Sequence, residues 1–410
     1  MEKDPLRILI VTPYLPHSRI GMAGGLLIRD MIRYLARKHR VSLLSMVSQG
    51  EDKYVSELEQ ICDRVETVKF LRIYGATTRE KLVLVWDRTM KFISSLCSST
   101  PYFVKKYWSP QFAACLENIT NEEAFDIVQL EFTQFAQYRP FIKAKAVILD
   151  EHDVSFVPRF REYRLTRSPF KRFYRNMEWL KCMNFEISIG EQFNQIFVRS
   201  ENDRNVLKTF NPKLNTSILL HGVGLENISP INVEIEEESV AFMGSYSHRP
   251  NVDAVIYFKD HIVPVIEKIK PNIKIYLIGK NEEFLPRLPD NFVITGFCED
   301  LAAILGKCQI FVAPLTWGGG VKVKLLHAMA LGRPVVTTPV GAEGLDVEHG
   351  VHLLIAKNPE EFARYVIDLL DNPQLRHRIA HAGLEKVRER YGWERIIADI
   401  ENLYYSLLID

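Results

Sequence analysis

Two doubly wound α/β domains, each built on a parallel sheet, are what this sequence predicts. Three observations carry that expectation. The chain has 410 residues, more than one hydrophobic core usually organises. Short apolar, β-branched runs recur without polar alternation, as strands covered on both faces require. Stretches of helical period separate them, so the order reads as repeated βαβ units.

The strands follow in order. In the first half the runs are LRILIV (6–11), VSLLSMV (41–47), FDIVQLE (125–131), AVILD (146–150) and QIFVRS (195–200). In the second they are SVAFMG (239–244), IKIYLIG (273–279), FVITGF (292–297), IFVAPL (310–315), PVVTT (334–338) and HLLIA (352–356). Helical stretches at 25–38, 251–268, 299–306 and 321–331 complete crossovers. Between the two sets lies a polar, acidic segment holding Pro230. The expected division is a first domain over 1–223, a linker over 224–238 and a second domain over 239–392. A last helix, 393–410, is expected to pack back on the first domain.

Composition narrows the class. A chain that is 47% hydrophobic and 25% charged, with a formal net charge of +1, has no global bias toward nucleic acid or membrane. Its six cysteines are scattered, with no C-x-x-C pair, which disfavours a disulfide framework or a zinc site and fits reduced thiols in a cytoplasm. The apolar run near the N-terminus is too short for a signal-peptide core. No stretch reaches the roughly 18 apolar residues of a membrane span. The expected location is cytoplasmic, at most peripheral to the inner face of the membrane.

Ligands of open α/β sheets bind beyond the carboxyl ends of the strands. After IFVAPL comes such a loop, Trp317-Gly318-Gly319-Gly320, followed by Lys322, Lys324 and a helix. Glycines permit close backbone approach, and free amides at a helix start attract anions. Cations in a first helical turn oppose the helix dipole at about 0.3–1 kcal/mol each, a cost that an anion between them would offset. A flexible loop with solvated lysines is the alternative, and both readings stay open from local chemistry. No G-x-x-x-x-G-K-[ST] motif occurs.

The longer stretch GFCEDLAAILGKCQIFVAPLTWGGGVKVKLLHAMALGRPVVTTPVGAEGL resembles the nucleotide-sugar half of a family 4 retaining glycosyltransferase. More narrowly, it is similar to the branch with the signature G-G-G-x-[RK]-x-K-x-x-E-A-M-A. FMGSYSHRPNVDAVIYF (242–258) and YGW (391–393) are similar to the same branch. Weaker, collinear similarity runs through ILIVTPYLP, FDIVQLE, LDEHDVSF and VRSENDRNVL. The resemblance implies a GT-B architecture, two Rossmann-like domains facing across a cleft, with no metal or other cofactor and a nucleotide sugar as substrate. It implies that Lys324 and Lys322 neutralise the donor diphosphate, while amides of Gly318, Gly319 and Gly320 face sugar and phosphates. The family's two cleft glutamates, with seven residues between them, fall here on Gly319 and His327. His327 would offer the ribose one hydrogen bond, where a carboxylate offers two.

In the first domain, Gly24-Gly25 opens a helix after the first strand, and the resemblance makes it a second donor-binding loop. A packing role is the alternative. Its spacing is not G-x-G-x-x-G, and no acidic residue ends VSLLSMV, so a dinucleotide-dependent dehydrogenase is not expected. The loop after AVILD carries Asp150, Glu151, His152 and Asp153. Read bare, this is a metal cluster or a general-base dyad, yet no second cluster is evident to complete a ligand set, and no metal is expected. The resemblance maps His152 onto the histidine that reaches the donor sugar.

Residues 158–184 hold eight Lys/Arg, among them Arg159, Arg161, Arg164, Lys171 and Arg172, against two glutamates. A surface for anionic lipid, a site for an anionic acceptor and a solvated helix face are the competing readings. Nucleic acid is not expected, since no reader motif accompanies the charge. LLHGVGLE (219–226) departs at His221 and Gly224 from the family's asparagine-glycine-valine-aspartate, with hinge geometry the expected consequence.

The leading expectation is a retaining hexosyl transferase acting on a glycan or lipid-linked acceptor hydroxyl. A catalytically impaired relative that binds a sugar nucleotide or a partner enzyme is the second. A nucleotide-sugar epimerase is the third, and it lacks placeable acid/base carboxylates.

Overall fold

The computed structural model describes residues 4–20, 23–71, 77–224, 234–298 and 300–409. The chain divides into two compact units, Met1–Leu220 with Ile397–Asp410, and His221–Ile396. Most of the segment read as a linker lies outside the described residues. What is described of it includes the start of a strand at Glu236, ahead of the domain boundary drawn at Ser239.

The first unit is a seven-stranded sheet in the order β3-β2-β1-β4-β5-β6-β7. Its strands are β1 Arg7–Thr12, β2 Arg40–Val47, β3 Arg64–Lys69, β4 Ile127–Glu131, β5 Ala146–Asp150, β6 Gln195–Val198 and β7 Thr216–Ile218. All its pairings are parallel. Central strands are buried along almost their whole length, and Leu9, Val11, Val128, Leu130, Val147 and Leu149 meet helical Phe112, Leu116 and Leu207 in one core. Each such side chain contributes about 1.5–3 kcal/mol by leaving water. The run-based reading missed β3 and β7, the two edges of this sheet.

The second unit is a six-stranded parallel sheet in the order β10-β9-β8-β11-β12-β13. Its strands are β8 Glu236–Met243, β9 Lys274–Ile278, β10 Phe292–Gly296, β11 Cys308–Ala313, β12 Val335–Thr337 and β13 Leu354–Ile355. Strand residues Val240, Phe242, Ile275, Leu277, Ile310 and Val312 pack against Phe258, Phe362 and Val366 from covering helices. All six runs read from the second half are strands here.

The helix Trp393–Ser406 ends on the first unit. Its buried Tyr404 donates to Gln129 Oε1 of β4, and Glu401 pairs with Lys38 and His39. None of the described helices is long and apolar enough to cross a membrane.

Strand order reverses direction between β1 and β4 in the first unit and between β8 and β11 in the second. Loops leaving those strands therefore splay apart and leave room for a ligand in each unit.

Candidate active site

In the second unit the splayed loops follow β8 and β11. The β11 loop runs through the three glycines, and Gly318 and Gly320 adopt φ values of 133° and 65°. Those dihedrals lie in territory that side chains avoid, so glycine there is dictated by the backbone path. Trp317 Nε1 donates to Asp253 Oδ2 at 3.1 Å, and Arg249 pairs with the same carboxylate at 2.8 Å. The glycine loop is thereby pinned to the helix Arg249–Tyr257 that follows β8.

Lys322 is the residue before the helix Val323–Ala330. Its ammonium donates to the carbonyls of Gly319, at 3.0 Å, and Gly320, so it ties the loop together. Lys324, two residues further on and inside the helix, is half-buried. Its Nζ donates to Asn251 Oδ1 at 2.7 Å and stands 4.7 Å from the centroid of the Phe242 ring. Asn251 in turn donates from Nδ2 to Ser245 O at 2.8 Å, which aims its carbonyl oxygen at the lysine. Burial, and secondarily the Lys322 ammonium, bring Lys324 down from 10.5 to about 7. An ammonium held this way is short of negative charge, and a diphosphate would supply it. Asn251 was missed from sequence, although the SHRPN run that carries it was part of the resemblance.

His327 lies in the same helix, half-buried and without charge at neutral pH, because burial lowers it to about 4. It can exchange one hydrogen bond with a hydroxyl and cannot act as a cation.

In the first unit His152 leaves the end of β5, and its Nε2 lies 2.8 Å from Glu131 Oε2 at the end of neighbouring β4. A carboxylate partner for this loop, not evident in the sequence, comes from the neighbouring strand β4. Pairing β4 with β5 sets Glu131 opposite Asp150, and ligand atoms of Glu131, Asp150 and His152 all lie within 4.8 Å of one another. Protein groups already engage them. Arg199 pairs with Asp150 at 2.5 Å, and Gln129 Nε2 donates to Glu131 Oε1 at 2.7 Å.

Burial raises Glu131 to about 7, while burial and then Arg199 lower His152 to about 3. His152 is therefore uncharged at neutral pH, and Glu131 holds a proton far more readily than an exposed carboxylate does.

Phe132 stacks on the His152 ring at 4.0 Å between centroids. It holds φ at 68°, a conformation a bulky residue adopts only when its surroundings impose it. Gly24 packs under this stack. A β-carbon there would stand 2.9 Å from Phe132 Cζ and 3.3 Å from His152 Nδ1. A β-carbon on Gly25 would stand 2.4 Å from Ile20 Cδ1. Both glycines are thus crowded, Gly24 by the Phe132 and His152 rings and Gly25 by the Ile20 side chain, within the first turn of the helix Ala23–Leu35.

The basic stretch forms the helices Phe156–Leu165 and Pro169–Gly190. Arg159 turns inward, 3.6 Å over the Phe103 ring and donating to Ser155 O. Arg161 is half-buried, whereas Arg164, Lys171 and Arg172 are exposed.

Residues 237–372 match the family model described as glycosyl transferases group 1. A protein of the cps region of Klebsiella pneumoniae is 29% identical over 173 residues, 40% of this chain. The chain spans 45% of that relative's length. Sucrose-phosphate synthase from Thermosynechococcus elongatus superposes with a TM-score of 0.74 at 16% identity, covering 98% of this chain and 99% of that one. HepE of Anabaena, solved with UDP and glucose, superposes with a TM-score of 0.69 at 14% identity, covering 98% and 100%. These similarities establish the fold as GT-B, two Rossmann-like parallel-sheet domains.

Proposed function

We propose that the protein is a glycosyltransferase that moves a hexose-type sugar from a nucleoside diphosphate sugar to an acceptor hydroxyl. The observation that carries this reading is the Lys324 ammonium, aimed by Asn251 at the strand-order reversal of the unit that matches the glycosyl transferase family model. HepE, solved with UDP and glucose, supports a uridine diphosphate sugar as the first donor to test.

In this reading Lys324 and Lys322 face the diphosphate, with the amides of Gly318, Gly319 and Gly320 beside it. His327 gives the ribose a single hydrogen bond. The resemblance assigns the sugar to His152, which lies over Gly24, and assigns Gly24 and Gly25 to a donor-binding loop. The acceptor oxygen bonds to the anomeric carbon as the bond from that carbon to the phosphate oxygen breaks. The acceptor proton passes to the departing phosphate, and the new bond forms on the face the old one left, with retention. The lysines stabilise the leaving nucleoside diphosphate as its charge grows, and no metal or other cofactor is invoked. The acceptor is a glycan or a lipid-linked glycan, and the basic helices 156–190 approach an anionic membrane in the cytoplasm.

Incubation with a panel of UDP-, GDP- and ADP-sugars tests the reading, with slow release of nucleoside diphosphate from one of them expected. A chain that is stabilised by nucleotide and turns over no donor would support a binding-only relative, the reading favoured by the neutral His327 where the family places a carboxylate.

Nucleotide binding should also take up a proton. In the free chain Lys324 titrates at about 7, so at pH 8 most of it is the neutral amine. A diphosphate favours the ammonium and raises that pKa, so binding at pH 8 draws close to one proton from solution. Affinity for UDP therefore falls as pH rises above about 7 and levels off below it. Calorimetry in buffers of different ionisation enthalpy measures the uptake. Zero uptake at pH 8 would remove Lys324 from the diphosphate.

A further inference from the structure

The helix Thr78–Leu96 has a bare apolar face. Its inward side is set by buried Leu84 and Ser95 and by Phe92, whose ring meets Tyr102 and Tyr174. On the other side Leu82 is 69% exposed, Val85 63%, Trp86 69%, Met90 46% and Ile93 49%. Those positions recur at three- and four-residue spacing, so they form one stripe.

A second apolar group sits at the turn between the helices Phe156–Leu165 and Pro169–Gly190. Leu165, Phe170 and Phe173 are 70%, 90% and 73% exposed there. Phe92 meets Tyr174, and three residues on Ser95 accepts from Lys181. The contacts advance in the same sense along both helices, so Leu82–Met90 and Phe170–Phe173 lie toward the same end.

The charge around these residues is one-sided. Glu80 is held in a capping box with Thr77, Asp87 pairs with Lys91, and Glu162 pairs with Arg175. Glu178 accepts from the amide of Tyr102. Arg79, Lys81, Arg164, Arg167, Lys171 and Arg172 remain, with no ion pair among the described residues. Large apolar side chains, Trp86, Phe170 and Phe173 among them, beside cations that have no carboxylate partner among the described residues, match the boundary between acyl chains and anionic headgroups. A polar protein partner or nucleic acid would leave the apolar stripe in water.

We propose that the helix Thr78–Leu96 and the turn around Phe170 form one surface that inserts into an anionic phospholipid bilayer, Leu82, Trp86, Met90, Phe170 and Phe173 entering the acyl boundary. This extends the membrane approach of the basic helices to an element outside them, and it rests on that reading without requiring donor transfer.

The full-length chain should co-sediment with vesicles of phosphatidylcholine containing about 30% phosphatidylglycerol, and far less with phosphatidylcholine alone. Binding should weaken as salt rises, and tryptophan emission should move to shorter wavelength as Trp86 enters the bilayer. The double variants Trp86→Ser/Met90→Ser and Phe170→Ser/Phe173→Ser should each lower partitioning about tenfold or more. Far-UV circular dichroism and release of nucleoside diphosphate in vesicle-free solution should stay at the parent level.

Three results would overturn the proposal. One is a chain that stays in the supernatant with both vesicles. Another is apolar variants that sediment like the parent, which would leave charge alone as the attraction. The last is a dimer that the Trp86→Ser/Met90→Ser variant splits, in a chain that ignores vesicles, which would assign the stripe to a second copy. Vesicle binding without donor hydrolysis refutes the transfer reading alone, and hydrolysis without vesicle binding refutes this one alone.

Discussion

Lys324→Ala is expected to lower donor turnover by about 10²–10³-fold or more, the size found when a preorganised group facing developing charge is removed. The ammonium is held in place before any ligand arrives, by Asn251 Oδ1 at 2.7 Å and the Phe242 ring. Little reorganisation is then required as phosphate charge grows. Folding should change far less than activity. Alanine leaves the Asn251 oxygen short of a donor, at about 1–3 kcal/mol. It also removes a half-buried group whose charged form burial disfavours, and the two effects oppose each other. Single-turnover release of nucleoside diphosphate, beside thermal unfolding of the same variant, makes the comparison. Turnover close to the parent would exclude Lys324 from the leaving group, while parallel loss of both would mark it as structural.

Much of the fold was legible because fully buried strands write themselves as apolar runs. The six strands of the second unit all do so. Two edges of the first sheet do not, for a physical reason. In β3, RVETVK, only Val65 and Val68 are apolar, and none of its residues is fully buried. β7 has three residues, all partly buried. An edge needs no continuous apolar run, so periodicity had little to detect.

The site divides in the same way. Lys322, Lys324 and His327 share one local segment, so their spacing could be read directly. Glu131 and His152 are 21 residues apart and meet only because β4 pairs with β5. The strained backbone of Phe132 is a property of its surroundings and has no signature in the letters around it. The helix Thr78–Leu96 carries apolar residues on both sides, a pattern that reads as a buried helix until the structure leaves one side bare.

Gly279→Ala is expected to cost the second unit several kcal/mol, about 3–5, with loss of donor turnover as a second effect. Gly279 follows β9 with φ at 148°, and a β-carbon there would stand 1.8 Å from the carbonyl oxygen of Gly244 and 2.8 Å from its carbon. That obstacle is backbone, so it cannot rotate away as a side chain would. Gly244 N already bonds to Ile278 O, and Gly279 N to Gly296 O, each at 2.9 Å. Relief therefore requires β8 and β9 to part at their carboxyl ends. The cost reaches the lysine because Gly244 is itself crowded. A β-carbon on it would stand 2.6 Å from Asn251 Nδ2 and 3.0 Å from Lys324 Nζ. Displacing this strand end displaces the asparagine that aims the ammonium. Gly350→Ala provides the contrast, because its φ is 79° and nothing lies within 4 Å of an added β-carbon. It should cost only the dihedral penalty, about 1–2 kcal/mol. Hydrogen exchange resolved by peptide would show faster opening across 236–390 in Gly279→Ala, with 4–218 unchanged. Equal protection in the two variants would mean that the strand ends accommodate a methyl group, and that the close approach of Gly244 to Gly279 does not set the position of Lys324.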